Sequence, residues 1–180
     1  EPDPQRDDPG ARRYALDCDR FESHVRAIAQ AELRAARAWE ELDGPAPPRS
    51  CWITFDDGHR SNHELALPIL QRHGLSALFF ITTDWIGGHG FMNAGQLREL
   101  RGAGMLLGTH GCSHRYFTDL PEGELRRELA ESKAKLEQIL SEPVRALSLP
   151  GGRNHPALRG LARQLGYRHV FTSRTALAGP

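Results

Sequence analysis

From Ser50 to Thr172 the chain repeats one pattern: a short apolar run, a polar cluster, then an amphipathic stretch. Cys51 to Phe55, Ala77 to Thr82, Met105 to Gly108, Val144 to Leu149 and Tyr167 to Thr172 read as five short buried strands. Helices are predicted between them. Ser61-Asn62-His63-Glu64 forms a capping-box pattern for one ending near His73-Gly74, with Pro68 early enough to kink it rather than abolish it. Asn93 with Gln96 opens a second that stops around Gly102–Gly104. Asp119 with Glu122 caps a third, running to about Leu140 with Leu125, Leu129, Leu136 and Ile139 on one side, and Asn154 caps a fourth ending at Leu165-Gly166. Such alternation predicts an α/β fold with parallel strands joined by right-handed crossovers. Five strands do not close the usual eight-stranded barrel, so the expectation is an open sheet or an incomplete (β/α) barrel.

Upstream the pattern differs. Residues 1–13 are polar, rich in Pro and Asp, and predicted to be extended and flexible. Phe21, Val25, Ile28, Ala29 and Leu33 recur at helical steps behind a candidate N-cap, Asp19. This lead-in helix is predicted to reach about Leu42, where Gly44-Pro45-Ala46-Pro47-Pro48 ends it. The organisation expected is therefore a flexible segment over 1–13, a helix and Pro-rich linker over 14–49, and an α/β domain over 50–180.

At 180 residues there is material for one sizeable core. Lysine plus arginine (23) balance aspartate plus glutamate (23), which argues against a nucleic-acid or acidic-membrane partner. No apolar run approaches the ~20 residues of a membrane span. The sequence begins at Glu1, and no signal-peptide pattern follows. Cys18, Cys51 and Cys112 cannot all pair within one chain and match no zinc-knuckle spacing, so they read as buried or half-buried thiols.

The polar clusters fall at one place in the repeat. Asp56-Asp57-Gly58 follows the first strand, Thr82-Thr83-Asp84-Trp85 the second, Thr109-His110 through His114 the third, and Pro150-Gly151-Gly152-Arg153 the fourth. In parallel α/β folds the loops after the strands share one face and build the site there. Asp57, His110 and His114 are a carboxylate and two imidazoles, a set suited to a borderline divalent ion with open positions left for water or substrate. Zn²⁺ is the first choice, with Co²⁺ or Ni²⁺ as alternatives. Asp56 need not be a ligand and can serve as general base toward a metal-activated water. The Pro150-Gly151-Gly152 turn exposes backbone N–H groups, and that of Gly151 can donate to an oxyanion.

Each cluster alone has a plainer explanation. Asp-Asp-Gly is common turn chemistry, paired histidines can sit on a solvated loop, and Pro-Gly-Gly breaks loops. Their placement after three different strands is what coincidence does not explain. Cys112, between the histidines, is read as a bystander rather than a soft ligand. His59, His63, His73, His89, His155 and His169 read as surface or capping residues, and His24 as structural.

Thr54-Phe55-Asp56-Asp57-Gly58, Thr109-His110-Gly111-Cys112-Ser113-His114 and Ser148-Leu149-Pro150-Gly151-Gly152 resemble the first three motifs of the polysaccharide deacetylase (NodB-homology) family, the fourth carbohydrate esterase family. The likeness runs from about Ser50 to Ser173. It implies a distorted (β/α) barrel, a divalent metal held by Asp57, His110 and His114, Asp56 as base, and the Gly151 amide in the oxyanion hole. Two departures stand out. The arginine that opens the third motif and orients the base is replaced by Ser148, and the aromatic before its glycine by Gly151. Arg153 is then a candidate replacement for the guanidinium. The late Leu-x-His motif, whose histidine is the general acid, is absent after Ser173. The segment Tyr14-Ala15-Leu16-Asp17 with Phe21 and Val25 resembles the lead-in helix of a permuted subgroup, the poly-N-acetylglucosamine deacetylases, whose acid histidine lies on a strand upstream of that helix. The expectation is that 50–180 is a catalytic domain, with an N-terminal strand, and a C-terminal one, missing from these 180 residues.

The reaction implied is removal of N-acetyl groups from an N-acetylhexosamine polysaccharide. Trp85, Pro150, Gly152 and Arg153 are expected to contact the polysaccharide or oligosaccharide substrate, with Trp85 and Phe91 read either as a stacking wall for sugar or as core or lid residues. A polymer substrate favours the cell envelope or an extracytoplasmic setting, and the oligomeric state is left open. Two other functions compete: metal-dependent hydrolysis of a non-sugar amide, and a non-catalytic carbohydrate-binding domain on the same fold.

Overall fold

Four of the five apolar runs become single strands, whereas the run expected over Cys51 to Phe55 divides into Ser50–Cys51 and Thr54–Phe55, which belong to different sheets. In the larger sheet alternating side chains divide into two layers. The computed structural model describes residues 16–43 and 48–173. In chain order these form α1 (Cys18–Gln30), β1 (Arg34–Ala35), β2 (Ser50–Cys51), β3 (Thr54–Phe55), α2 (Leu67–Arg72), β4 (Leu78–Ile81), α3 (Ala94–Gly102), β5 (Leu106–Thr109), α4 (Glu122–Leu140), β6 (Ala146–Ser148), α5 (Leu158–Gln164) and β7 (His169–Phe171). Strands β3 to β7 make one all-parallel sheet whose spatial order is their order in the sequence. Each right-handed crossover therefore returns to the same face. The sheet curls away from that face into half of a barrel, and β3 and β7 do not pair across the opening. A separate two-stranded parallel sheet joins β1 to β2.

Phe79, Ile81, Leu107 and Leu147 point toward the helices and share a core with Leu70, Leu97, Leu100, Leu125, Leu129 and Leu161. Their neighbours Leu78, Phe80, Leu106 and Ala146 face the concave side, where Trp39, Trp52 and Phe171 cover them. Burying such side chains stabilises the fold by about 1.5–3 kcal/mol each. Gly108 is what lets the concave layer close. A Cβ there would stand 2.8 Å from the Phe80 ring and 2.8 Å from the Ala146 carbonyl oxygen.

Several helix ends differ from expectation. Helix α1 stops at Gln30, well short of Leu42, because Glu32 takes a left-handed conformation with φ 54°. Glu32 N–H donates to the Ala29 carbonyl and Leu33 N–H to that of Ile28, the paired bonds of a Schellman cap. Its N-cap is Asp17, not Asp19. Ser61 makes no capping bond. Instead His59 Nδ1 accepts from the Ser61 N–H, and a π-helical stretch, Asn62–Ala66, leads into α2. That wider turn pairs Leu67 N–H with the Asn62 carbonyl just ahead of Pro68, so the helix absorbs the proline. Asp119 and Asn154 do not cap α4 and α5; Pro121 and Ala157 hold those positions. The Asn93–Gln96 capping box forms as predicted. The flexible segment expected over 1–13 lies outside the described residues, as do positions 44–47 of the Pro-rich linker and 174–180. No helix among the described residues is long and apolar enough to cross a membrane.

Candidate metal centre

The loops after β3, β5 and β6 meet at the rim of the half-barrel. Strand β3 ends in two successive left-handed residues, Asp57 (φ 72°) and Gly58 (φ 86°). Gly58 N–H closes back on the Asp56 carbonyl at 2.9 Å, and the Thr82 and Met92 amides donate to the carbonyls of Asp57 and Gly58. A Cβ on Gly58 would crowd the Ile81 side chain at 3.2 Å. This turn sends the two adjacent carboxylates in different directions. A left-handed backbone at a non-glycine residue costs about 1–2 kcal/mol, and functional sites are where such strain collects.

His110 continues β5, with its N–H on the Ile81 carbonyl at 2.8 Å and only 2% of its surface exposed. Its Nδ1 lies 3.0 Å from the Ser148 carbonyl oxygen. Donation from Nδ1 leaves the Nε2 lone pair free on the opposite side. Nε2 faces Asp57 Oδ1 at 3.6 Å, and His114 Nε2 faces the same oxygen at 3.3 Å. The three donor atoms lie within 4.8 Å of one another. Two ligands about 2.0–2.1 Å from one Zn²⁺ at a tetrahedral angle stand about 3.3 Å apart, close to what is found here. Asp57 Oδ1 is buried yet accepts no hydrogen bond, an orphan that a cation would satisfy. Burial also holds His114 below the ordinary imidazole range against the pull of Asp57, which favours the neutral, ligating ring. Donor types, spacing and the unpaired oxygen all fit a divalent ion.

Asp56 sits beside this group at the exposed mouth. Protein crowding its carboxyl raises its pKa, opposed by His110 and by a hydrogen bond with the Ser148 side chain. Ser148 is thus the side chain set against the Asp56 carboxyl. Arg153 does not take that position: its guanidinium lies over the Tyr116 ring, 4.2 Å from the centroid. Pro150, Gly151 and Gly152 form the tight turn after β6, with Gly151 exposed and at φ 61°. Tyr116 covers that turn so closely that a Cβ on Gly151 would meet the ring at 2.5 Å. Trp85 lies beside the centre, its ring 5.1 Å from that of His114 and 4.8 Å from Phe91, which in turn meets His59 at 5.8 Å.

Among the cysteines, Cys18 is exposed, Cys51 half-buried and Cys112 buried, and all three are free thiols. Cys112 Sγ donates to the Glu128 carbonyl at 3.4 Å and is not among the donors that converge with Asp57. Glu128 and Tyr116 escaped the sequence reading, which met Ser148 only as a departure from the third motif. Glu128 had a signal: a carboxylate between Leu125 and Leu129 on the apolar side of α4 needs a buried partner.

Residues 43–170 match the family model described as polysaccharide deacetylase. The Bacillus subtilis (strain 168) protein YxkH is 27% identical over 133 residues, covering 73% of this chain and 48% of that one. The poly-beta-1,6-N-acetyl-D-glucosamine N-deacetylase of Staphylococcus aureus is 31% identical over 86 residues, 46% of this chain and 30% of the relative. This chain thus spans at most about half the length of these relatives. Among solved structures, IcaB from Ammonifex degensii superposes with a TM-score of 0.82 at 23% identity, over 90% of this chain and 78% of that one, and so shares the fold. A family model spanning most of the chain, on a curled parallel half-barrel of the same type, makes this chain a member of the polysaccharide deacetylase family.

Proposed function

We propose that the protein is a metal-dependent deacetylase removing N-acetyl groups from an N-acetylhexosamine-containing polysaccharide. The observation that carries the reading is the convergence of Asp57, His110 and His114 with a second carboxylate, Asp56, left beside them. The named activity of the Staphylococcus aureus relative supports the choice of substrate. A divalent ion held by these three residues, Zn²⁺ before Co²⁺ or Ni²⁺, would polarise the amide carbonyl and acidify a neighbouring water. Asp56, oriented by Ser148, takes the proton from the attacking water. The Gly151 N–H, on the exposed turn, donates to the carbonyl oxygen as it gains charge. Water adds at the carbonyl carbon, the C–N bond breaks, the nitrogen takes up a proton, and acetate and a free amine result. Trp85 presents a flat apolar wall for a sugar ring, and Gly152 and Arg153, on the turn after the buried Pro150, are the further candidates for substrate contact.

Acetate release from N-acetylglucosamine oligomers, with cation supplied and then chelated, tests this. Turnover that disappears on chelation and returns with Zn²⁺ is expected. Turnover of small amides but not of sugars would instead favour a non-sugar amidohydrolase. Sugar binding with no turnover under any metal would favour a binding domain.

A further inference from the structure

The loop from Gly111 to His114 has to hold an unusual shape, with φ 80° at Gly111 and 63° at His114, for the second histidine to reach Asp57. Its backbone groups are gripped from two sides. The Gly111 and Cys112 carbonyls accept from the Thr83 and Asp84 amides at 3.1 and 3.0 Å. The amides of the same stretch go to one carboxylate on α4. Glu128 Oε2 accepts from Cys112 N–H at 2.6 Å and from Ser113 N–H at 3.1 Å, and Oε1 accepts from the Ser113 hydroxyl at 2.5 Å. Successive N–H groups converging on one anion make a rigid, directional clamp. The next residue of α4 holds the start of the loop. The Tyr167 hydroxyl donates to the Leu129 carbonyl at 2.8 Å and lies 3.0 Å from Thr109 Oγ1, next to His110.

We propose that Glu128 is a positioning residue: its carboxylate fixes the loop that aims His114 at Asp57 and thereby sets the affinity of the centre for its cation. This rests on the metal-centre reading above. His110 has its own brace in the Ser148 carbonyl, whereas among the described residues the His114 ring meets only Asp57 Oδ1 and the Trp85 and His110 rings, so its direction comes from the backbone that Glu128 holds. Removing the carboxylate leaves two amides without their partner. A cavity of about 240 Å³ beside Glu128, lined by Asp84, Arg115 and Glu131 among others, lets water reach them. The chain then folds, but with a looser loop.

The test is the Zn²⁺ dissociation constant, by competition with a chromophoric chelator, for the wild type, Glu128→Gln, Glu128→Ala and Glu131→Gln, with circular dichroism to confirm folding. Glu128→Ala should bind about 10–100-fold more weakly, as outer partners of metal ligands do. Glu128→Gln should fall between, since its amide oxygen still accepts, and Glu131→Gln should match the wild type. A purely structural role would lower the melting temperature and leave the affinity of the folded molecules unchanged, which overturns the proposal. So does an equal loss in Glu131→Gln, a general charge effect. If Glu128→Ala does not fold, Glu128→Gln decides by the same criterion. Failure of the wild type to bind Zn²⁺ would remove the centre itself, a result distinct from a wild type that binds beside variants that bind equally well.

Discussion

Asp56 and Asp57 are chemically the same and sequential neighbours, yet the left-handed turn at Asp57 gives them different surroundings. Asp57 Oδ1 is buried and faces two imidazoles; Asp56 stays at the mouth with Ser148. Their substitutions should separate accordingly. Asp56→Asn is expected to keep the cation while lowering kcat by about 10²–10⁴-fold, the usual worth of a positioned base. Asp57→Asn should lose cation and turnover together. Metal content and steady-state rates on the same preparations check this, and equal metal loss in both variants would contradict the division of roles. The thiols offer an independent check on burial. Desolvation and nearby Glu128, Asp84 and Glu131 push Cys112 up to about 11, whereas Cys18 is exposed. At pH 8 a charged disulfide reagent should therefore modify Cys18 quickly and Cys112 only on unfolding. Rapid labelling of Cys112 in the folded protein would count against the loop packing described.

At the level of elements, Glu32 ends α1 at φ 54° without glycine's freedom. Gly74, Gly104 and Gly166 take the same left-handed position after α2, α3 and α5. Glu32→Gly should stabilise the protein by about 1 kcal/mol, the strain relieved, or about 2–4 °C in Tm. No gain would show that the helix end is fixed from elsewhere. Tyr167 ties β5 to α4, and burial raises its phenol to about 12. Between its ordinary value near 10 and that point the unfolded chain has released a proton the folded chain keeps, so stability falls as pH rises through this window. Tyr167→Phe should flatten that slope while costing about 0.5–1.5 kcal/mol at neutral pH. Denaturant melts from pH 9 to 12 measure both. These elements also mark what the sequence made readable. Strands such as Leu78–Ile81 and the clusters after them declare themselves by short apolar runs and by residue type. The end of α1 did not, because glutamate is an uncommon residue in a left-handed cap. Ser61, Asp119 and Asn154 looked like caps from spacing alone, but a π-helical stretch and the residues nearer each helix took the role. The apolar side of α4 marks Glu128 as needing a partner, but its partners Cys112 and Ser113 are distant in sequence, and no local pattern names them.

For the molecule as a whole, the sequential order of β3 to β7 makes one curled sheet beside the small β1–β2 pair, and this curl carries the post-strand loops to one rim. The hydrophobic layers on both faces are complete without a cation, so the apo protein is expected to fold. A cation that binds only the folded state at 100 times its dissociation constant adds about 2.7 kcal/mol. For a chain of this length that raises Tm by about 5–10 °C. The rise should vanish in His114→Ala; a rise that persists there would place the ion elsewhere.

The most direct measurement is anomalous diffraction at the zinc edge from a crystal grown with Zn²⁺. One peak is predicted, about 2.0–2.2 Å from Asp57 Oδ1, His110 Nε2 and His114 Nε2, with the Asp56 carboxylate outside the coordination sphere. No peak between these atoms, or Asp56 bound in place of Asp57, would contradict the account.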